Sequence, residues 1–159
     1  MVNMNQLEQL LKRYSTEKQH VYKVVKNTDS PRFFKSPFSK WIKLYGLGFN
    51  TYDTTGFLYA YQNYDYAKGM KSELELSNVL NDTDETYSIL YCEATVIKHC
   101  KGFFCNVHED EYNKFWHYIK HGVETKVHMF DLLNQYNIKY GYNEKISLCV
   151  SIEPLATVW

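Results

Sequence analysis

The apolar positions along the chain change period several times, and each change marks an element. From Asn5 the residues Leu7, Leu10, Leu11 and Tyr14 recur at helical spacing, which predicts a short amphipathic helix ending near Ser15 within an N-terminal segment of residues 1–18. The run His20-Val21-Tyr22-Lys23-Val24-Val25 is β-branched and aromatic, and turn formers from Asn27 to Pro31 follow it, so it reads as the first strand. Residues 30–56, punctuated by Pro31, Pro37, Gly46, Gly48 and Gly56, predict a long connection with one ordered piece around Trp41 to Leu44. Connections of that length are commonly functional.

Phe57 to Ala60 is a short apolar run, and Asn63 is placed to cap a helix whose inner face is Tyr66, Ala67, Met70 and Leu74. A polar loop over Asn81 to Glu85 leads into Tyr87 to Ile97, which is apolar on both alternating faces and therefore predicts a strand covered on both sides. After a turn at Cys100 to Cys105, Tyr112, Phe115, Trp116 and Ile119 mark one helix, Gly122 breaks it, and Met129, Leu132, Leu133 and Tyr136 mark a second. Ile146, Leu148, Val150 and Ile152 then alternate with Ser147, Cys149, Ser151 and Glu153, the pattern of a strand with one buried face. Pro154 interrupts that pattern, and Leu155 to Trp159 can add an edge. There is no internal repeat and no linker, so the chain reads as one domain over 1–159, with the N-terminal helix at 1–18 and an α+β core at 19–159.

Composition narrows the classes. Lys plus Arg equals Asp plus Glu at 18 each, so no positive field gathers phosphates, and nucleic-acid binding is disfavoured. The chain has no run of apolar residues long enough for a membrane span and nothing resembling a signal peptide, which predicts a soluble cytoplasmic protein without a membrane partner. Four Cys are too few for a disulfide scaffold and fit a reducing compartment. Fifteen Tyr and nine Phe are the unusual feature, because such side chains can fill a core and still present a polar tip at a surface that a protein partner can grip.

Three separated segments, in order, resemble the catalytic domain of the ADP-ribosyltransferase superfamily, its poly-ADP-ribose polymerase and toxin branch in particular. Gly56-Phe57-Leu58-Tyr59-Ala60 followed by Tyr64-Asp65-Tyr66-Ala67 is similar to that family's strand and helix beneath the nicotinamide. Ile89-Leu90-Tyr91-Cys92-Glu93-Ala94 resembles its central strand, and Tyr142-Asn143-Glu144-Lys145-Ile146 its segment bearing the catalytic glutamate. The resemblance implies a split, mainly antiparallel sheet with packed helices and NAD as cofactor. It also implies that Glu144 stabilises the charge that develops as nicotinamide leaves, with Gly56, Tyr59 and Tyr64 lining the NAD cleft. Where the family places a His or Arg that grips NAD, this chain offers Lys23, or His20 three residues earlier, and the family's stacking tyrosine falls on Leu58 with Tyr59 one place along. These departures imply a diverged member, either still transferring ADP-ribose to a host target or catalytically degenerate. In length and layout the chain also resembles small phage or viral proteins, which implies a host protein as partner and the host cytoplasm as location.

Two other readings stand beside this one. A non-catalytic interaction module that binds and inhibits a host defence factor uses the same aromatic surface without turnover. A zinc-braced binding domain rests on Cys100, Cys105, His117 and His121, spaced C-x4-C-x11-H-x3-H. A zinc finger has about twelve residues between its pairs, and where it places a core hydrophobe this chain has Lys114. Gly46-Leu47-Gly48 lacks the third glycine of a dinucleotide loop, and Glu73-Leu74-Glu75 falls within the helix that Asn63 caps, where it reads as a solvated face.

Overall fold

The computed structural model describes residues 16–37, 43–52, 58–97, 103–104, 142–143 and 146–159, with Ile97 and the two pairs 103–104 and 142–143 as backbone only. The N-terminal helix, the helical hairpin, Gly56, Glu144 and the four proposed zinc ligands lie outside the described residues. The class is α+β, as the patterning indicates, and the sheet is antiparallel.

β1 (Thr16–Asn27) is longer than the six-residue run that announces it, and its start at Thr16 moves the limit of the N-terminal segment back from residue 18. It pairs along its whole length with β6 (Tyr87–Ile97), from Thr16↔Ile97 to Lys26↔Tyr87. β6 in turn pairs with β9 (Ile146–Thr157), β9 with β5 (Leu58–Tyr61), and β5 returns to β1 at Tyr22↔Tyr61. Four strands therefore close a ring. The long connection is more ordered than its Pro and Gly content suggests: it contributes β2 (Phe33–Lys35), β3 (Leu44–Gly46) and β4 (Thr51–Tyr52). β2 and β3 extend the sheet from the far end of β1, and β4 lies on β9. Between β3 and β4 the chain turns at Gly48, whose φ of 81° suits glycine, and its N–H donates to the Pro154 carbonyl at 2.8 Å. β7 (Phe103–Phe104) and β8 (Tyr142–Asn143) form a separate antiparallel pair.

Strand parity sorts the side chains into two layers. Val21, Val25, Leu58, Ala60, Leu90, Cys92, Ala94, Val96, Cys149 and Ile152 point into the ring, where Phe34 and Tyr45 join them. Val24, Tyr61 and Ile89 point outward and meet Ala67 of the single described helix, α1 (Tyr64–Asn81). Asn63 caps α1 as its position predicts, its side chain accepting from the Tyr66 N–H at 3.2 Å. Tyr66, Ala67, Met70 and Leu74 form the inner face as expected. Lys71 joins them, buried along its stem, with its ammonium 2.6 Å from Glu75 and 3.7 Å from the centre of the Trp159 ring. Glu73 and Glu75 are exposed, which agrees with the solvated-face reading of that pair.

β9 departs from its predicted pattern twice. Both of its faces are buried: Ser147, Cys149 and Ile152 on the inner side and Leu148 and Ser151 on the outer side are at most 5% exposed. A strand inside a closed ring has core on one side and outer cover on the other, and short Ser and Cys side chains fit the crowded interior while appearing polar in sequence. Nor does Pro154 stop the strand. Its missing N–H is accommodated by a register shift, Cys92 facing Pro154 while Tyr91 faces Ala156, and pairing then continues to Thr157.

Candidate functional site

The four described residues of the NAD-cleft hypothesis divide between two places. Lys23 and Tyr59 meet. β1 and β5 pair only at Tyr22↔Tyr61, after which β1 turns to β2 and a fork opens between β1 and β5. Lys23 fills the fork: its Nζ donates to the Tyr59 carbonyl at 2.8 Å and lies 4.3 Å from the centre of the Tyr59 ring and 5.4 Å from that of Tyr45. Burial pulls its pKa from 10.5 down to about 8, with the neighbouring Cys149 and then Cys92 acting the other way. The same burial pushes both thiols up to about 12, opposed in each case by Lys23. The cavity beside Lys23, walled by Tyr59, Tyr61, Pro37 and Met70, measures about 10 Å³. That is the space of about one water.

His20 does not join Lys23. Three residues earlier on β1, it stands on the opposite face of the strand, outside the ring, where it stacks on Tyr91 with ring centres 5.1 Å apart. Tyr64 is on that outer side as well, at the start of α1. It packs against Tyr22 at 5.6 Å, and Tyr22 packs against Tyr91 at 5.4 Å. A row of four aromatic rings results, His20, Tyr91, Tyr22 and Tyr64, crossing the sheet at the N-terminal end of α1. Lys68 prolongs it, its ammonium 5.5 Å from the Tyr64 ring and 5.7 Å from the half-exposed Trp159 ring.

No protein-family model, curated protein or solved structure matches this chain.

Beyond the aromatic row the outer face carries the row His20↔Glu93↔Glu153, with Lys18 3.7 Å from Glu93. A hydroxyl-bearing row, Lys18↔Thr95↔Ser151↔Tyr52, follows. α1 covers none of these residues, because the helix starts at Tyr64 and runs toward Tyr87, to which Asn78 ties it at 3.4 Å. Tyr22 and Tyr91 escaped the sequence reading as site residues because only the pairing of β1 with β6 makes them neighbours. Each alone looks like ordinary strand filling. Among the described residues no group of three His, Cys, Asp or Glu side chains is placed to hold a metal. No described helix is long and apolar enough to cross a membrane.

Proposed function

We propose that the protein acts by binding another protein through the outer sheet face beside the start of α1, with the ring row from His20 to Tyr64 at the centre of the contact. The continuity of that row supports the reading. Rings already fixed against one another lose little entropy on docking, and aromatic side chains dominate the energetics of protein contacts. Lys18, Lys68, Glu93 and Glu153 surround it with charges of both signs, which suits a mixed protein surface better than a polyanion. If the chain is of phage or viral origin, as its layout suggests, the partner is a host protein. The test places a photo-crosslinking phenylalanine derivative at position 20 or 64 and, as control, at the exposed Leu80 on α1. The reading expects one saturable crosslinked protein from positions 20 and 64, absent from position 80 and abolished by Tyr22→Ala with Tyr91→Ala. Identical products from all three positions would remove it.

The ADP-ribosyltransferase reading keeps one support, the meeting of Tyr59 with Lys23, the residue that the resemblance puts where the family grips NAD. It predicts nicotinamide release from NAD by the full-length protein, lost in Glu144→Gln with the fold unchanged. Absence of release would leave the binding reading alone.

A further inference from the structure

We infer that the outer face carries a second site, a pocket of about 240 Å³ at its far end, that binds a neutral polyhydroxylated ligand the size of one sugar ring. The site does not depend on the aromatic row. Lys18, Thr95, Ser151 and Tyr52 belong to β1, β6, β9 and β4 and are directly paired, so their side chains share one face. Beside them the register of β6 on β9 shifts, Thr95 facing Ser151 while Val96 faces Cys149, which leaves Val150 as the extra residue of a bulge. Bulges bend a strand and redirect its side chains, and they recur beside binding sites.

The floor is polar and buried. Thr95 is 6% and Ser151 5% exposed, both line the pocket, and among the described residues neither hydroxyl has a hydrogen-bond partner. Among the described residues only the Ser147 hydroxyl is enclosed without a partner, so those of Thr95 and Ser151 open to the pocket, where a ligand hydroxyl can bond them in place of water. Thr16 and the Tyr52 phenol add two more hydroxyls, and Asn50 adds an amide.

The lining also decides against other ligands. It mixes hydroxyls and an amide with the alkyl stems of Glu17 and Lys18 and the Tyr52 ring, which suits a ligand that carries both hydroxyls and a C–H face. Its one ammonium, Lys18, is already beside Glu93, and its one carboxylate, Glu17, accepts from Gln19 and repels an anion. Hydroxyl groups that both donate and accept, next to a phenol ring, match a sugar ring, whose hydroxyls do the same and whose C–H face packs on aromatics. The volume is below the roughly 300–1,000 Å³ of drug-sized clefts, which fits a single ring.

The experiment is saturation-transfer NMR on the full chain with methyl glucoside, methyl galactoside, methyl mannoside, methyl N-acetylglucosaminide and ribose, and with inorganic phosphate followed by protein chemical shifts. The expected result is transfer to at least one sugar. Its Kd should weaken about tenfold in Thr95→Val or Ser151→Ala, and in Tyr52→Phe should these buried changes prevent folding, while Tyr64→Ala leaves it unaltered. No transfer to any sugar, transfer that survives all the pocket variants, or shifts at the pocket with phosphate alone would overturn the inference.

Discussion

The ammonium of Lys23 sits 2.8 Å from the carbonyl oxygen of Tyr59, in the fork where β5 parts from β1. Because burial lowers its pKa from 10.5 to about 8, the unfolded chain holds this proton more tightly than the folded one between those values. Lys23 therefore adds stability as pH rises through that window, and the contribution is lost as pH falls through about 8. Against Lys23→Met, in which the same two thiols titrate, the native protein should gain about 1 kcal/mol between pH 8 and 9. Urea unfolding of both proteins at several pH values measures the difference, and parallel profiles would show that the amine is not desolvated.

Cys92 and Cys149 should resist alkylation in the folded protein. Burial holds both thiols near 12, so at neutral pH almost no thiolate is present, and both side chains are inaccessible. Iodoacetamide treatment followed by peptide mapping should leave both positions unmodified until denaturant is added. Their raised pKa also makes stability fall above pH 9, since only the unfolded thiols ionise there.

Ser147 is fully buried inside the ring, and among the described residues its hydroxyl has no hydrogen-bond partner. Replacing it by Ala removes an unsatisfied group and leaves only a small void. Ser147→Ala should be neutral or raise stability by about 1 kcal/mol, read as a higher urea midpoint at unchanged slope. A loss of more than that amount would mean that the hydroxyl has a partner after all.

Asn63 closes the N-terminus of α1 through one side-chain acceptor. Asn63→Ala should cost about 1 kcal/mol, whereas Asn63→Asp should cost little because a carboxylate accepts the same N–H and favours the helix N-terminus. Thermal unfolding of the two variants separates capping from a general effect of substitution.

The elements that read clearly in the sequence are those whose neighbours matter least. Tyr87 to Ile97 and the Asn63-capped helix follow from local pattern, and both stand where the pattern puts them. β2, β3 and β4 were hidden because two- and three-residue strands have no period of their own and exist through pairing with β1 and β9. The meeting of Lys23 with Tyr59 was legible only through the resemblance, and its setting was not, since a charged residue between Tyr22 and Val24 looks exposed until the fork is known. His20 and Lys23, alternatives for one role in the sequence, stand on opposite faces because an odd separation along a strand puts two residues on opposite sides. The row Lys18, Thr95, Ser151 and Tyr52 is drawn from four strands and has no trace in any one of them.

The ring of β1, β6, β9 and β5 has a consequence for biosynthesis. Its last staple spans residues 146–157, which bond to both β5 and β6. A nascent chain on the ribosome thus carries a β1–β6 pair whose inner edge and apolar lining stay open until that stretch emerges. Such long-range closure is slow, and chaperones or an early partner have that interval in which to act. A chain stopped at residue 145 should bind the dye ANS and associate edge to edge, whereas the complete ring presents few free strand edges for such contacts.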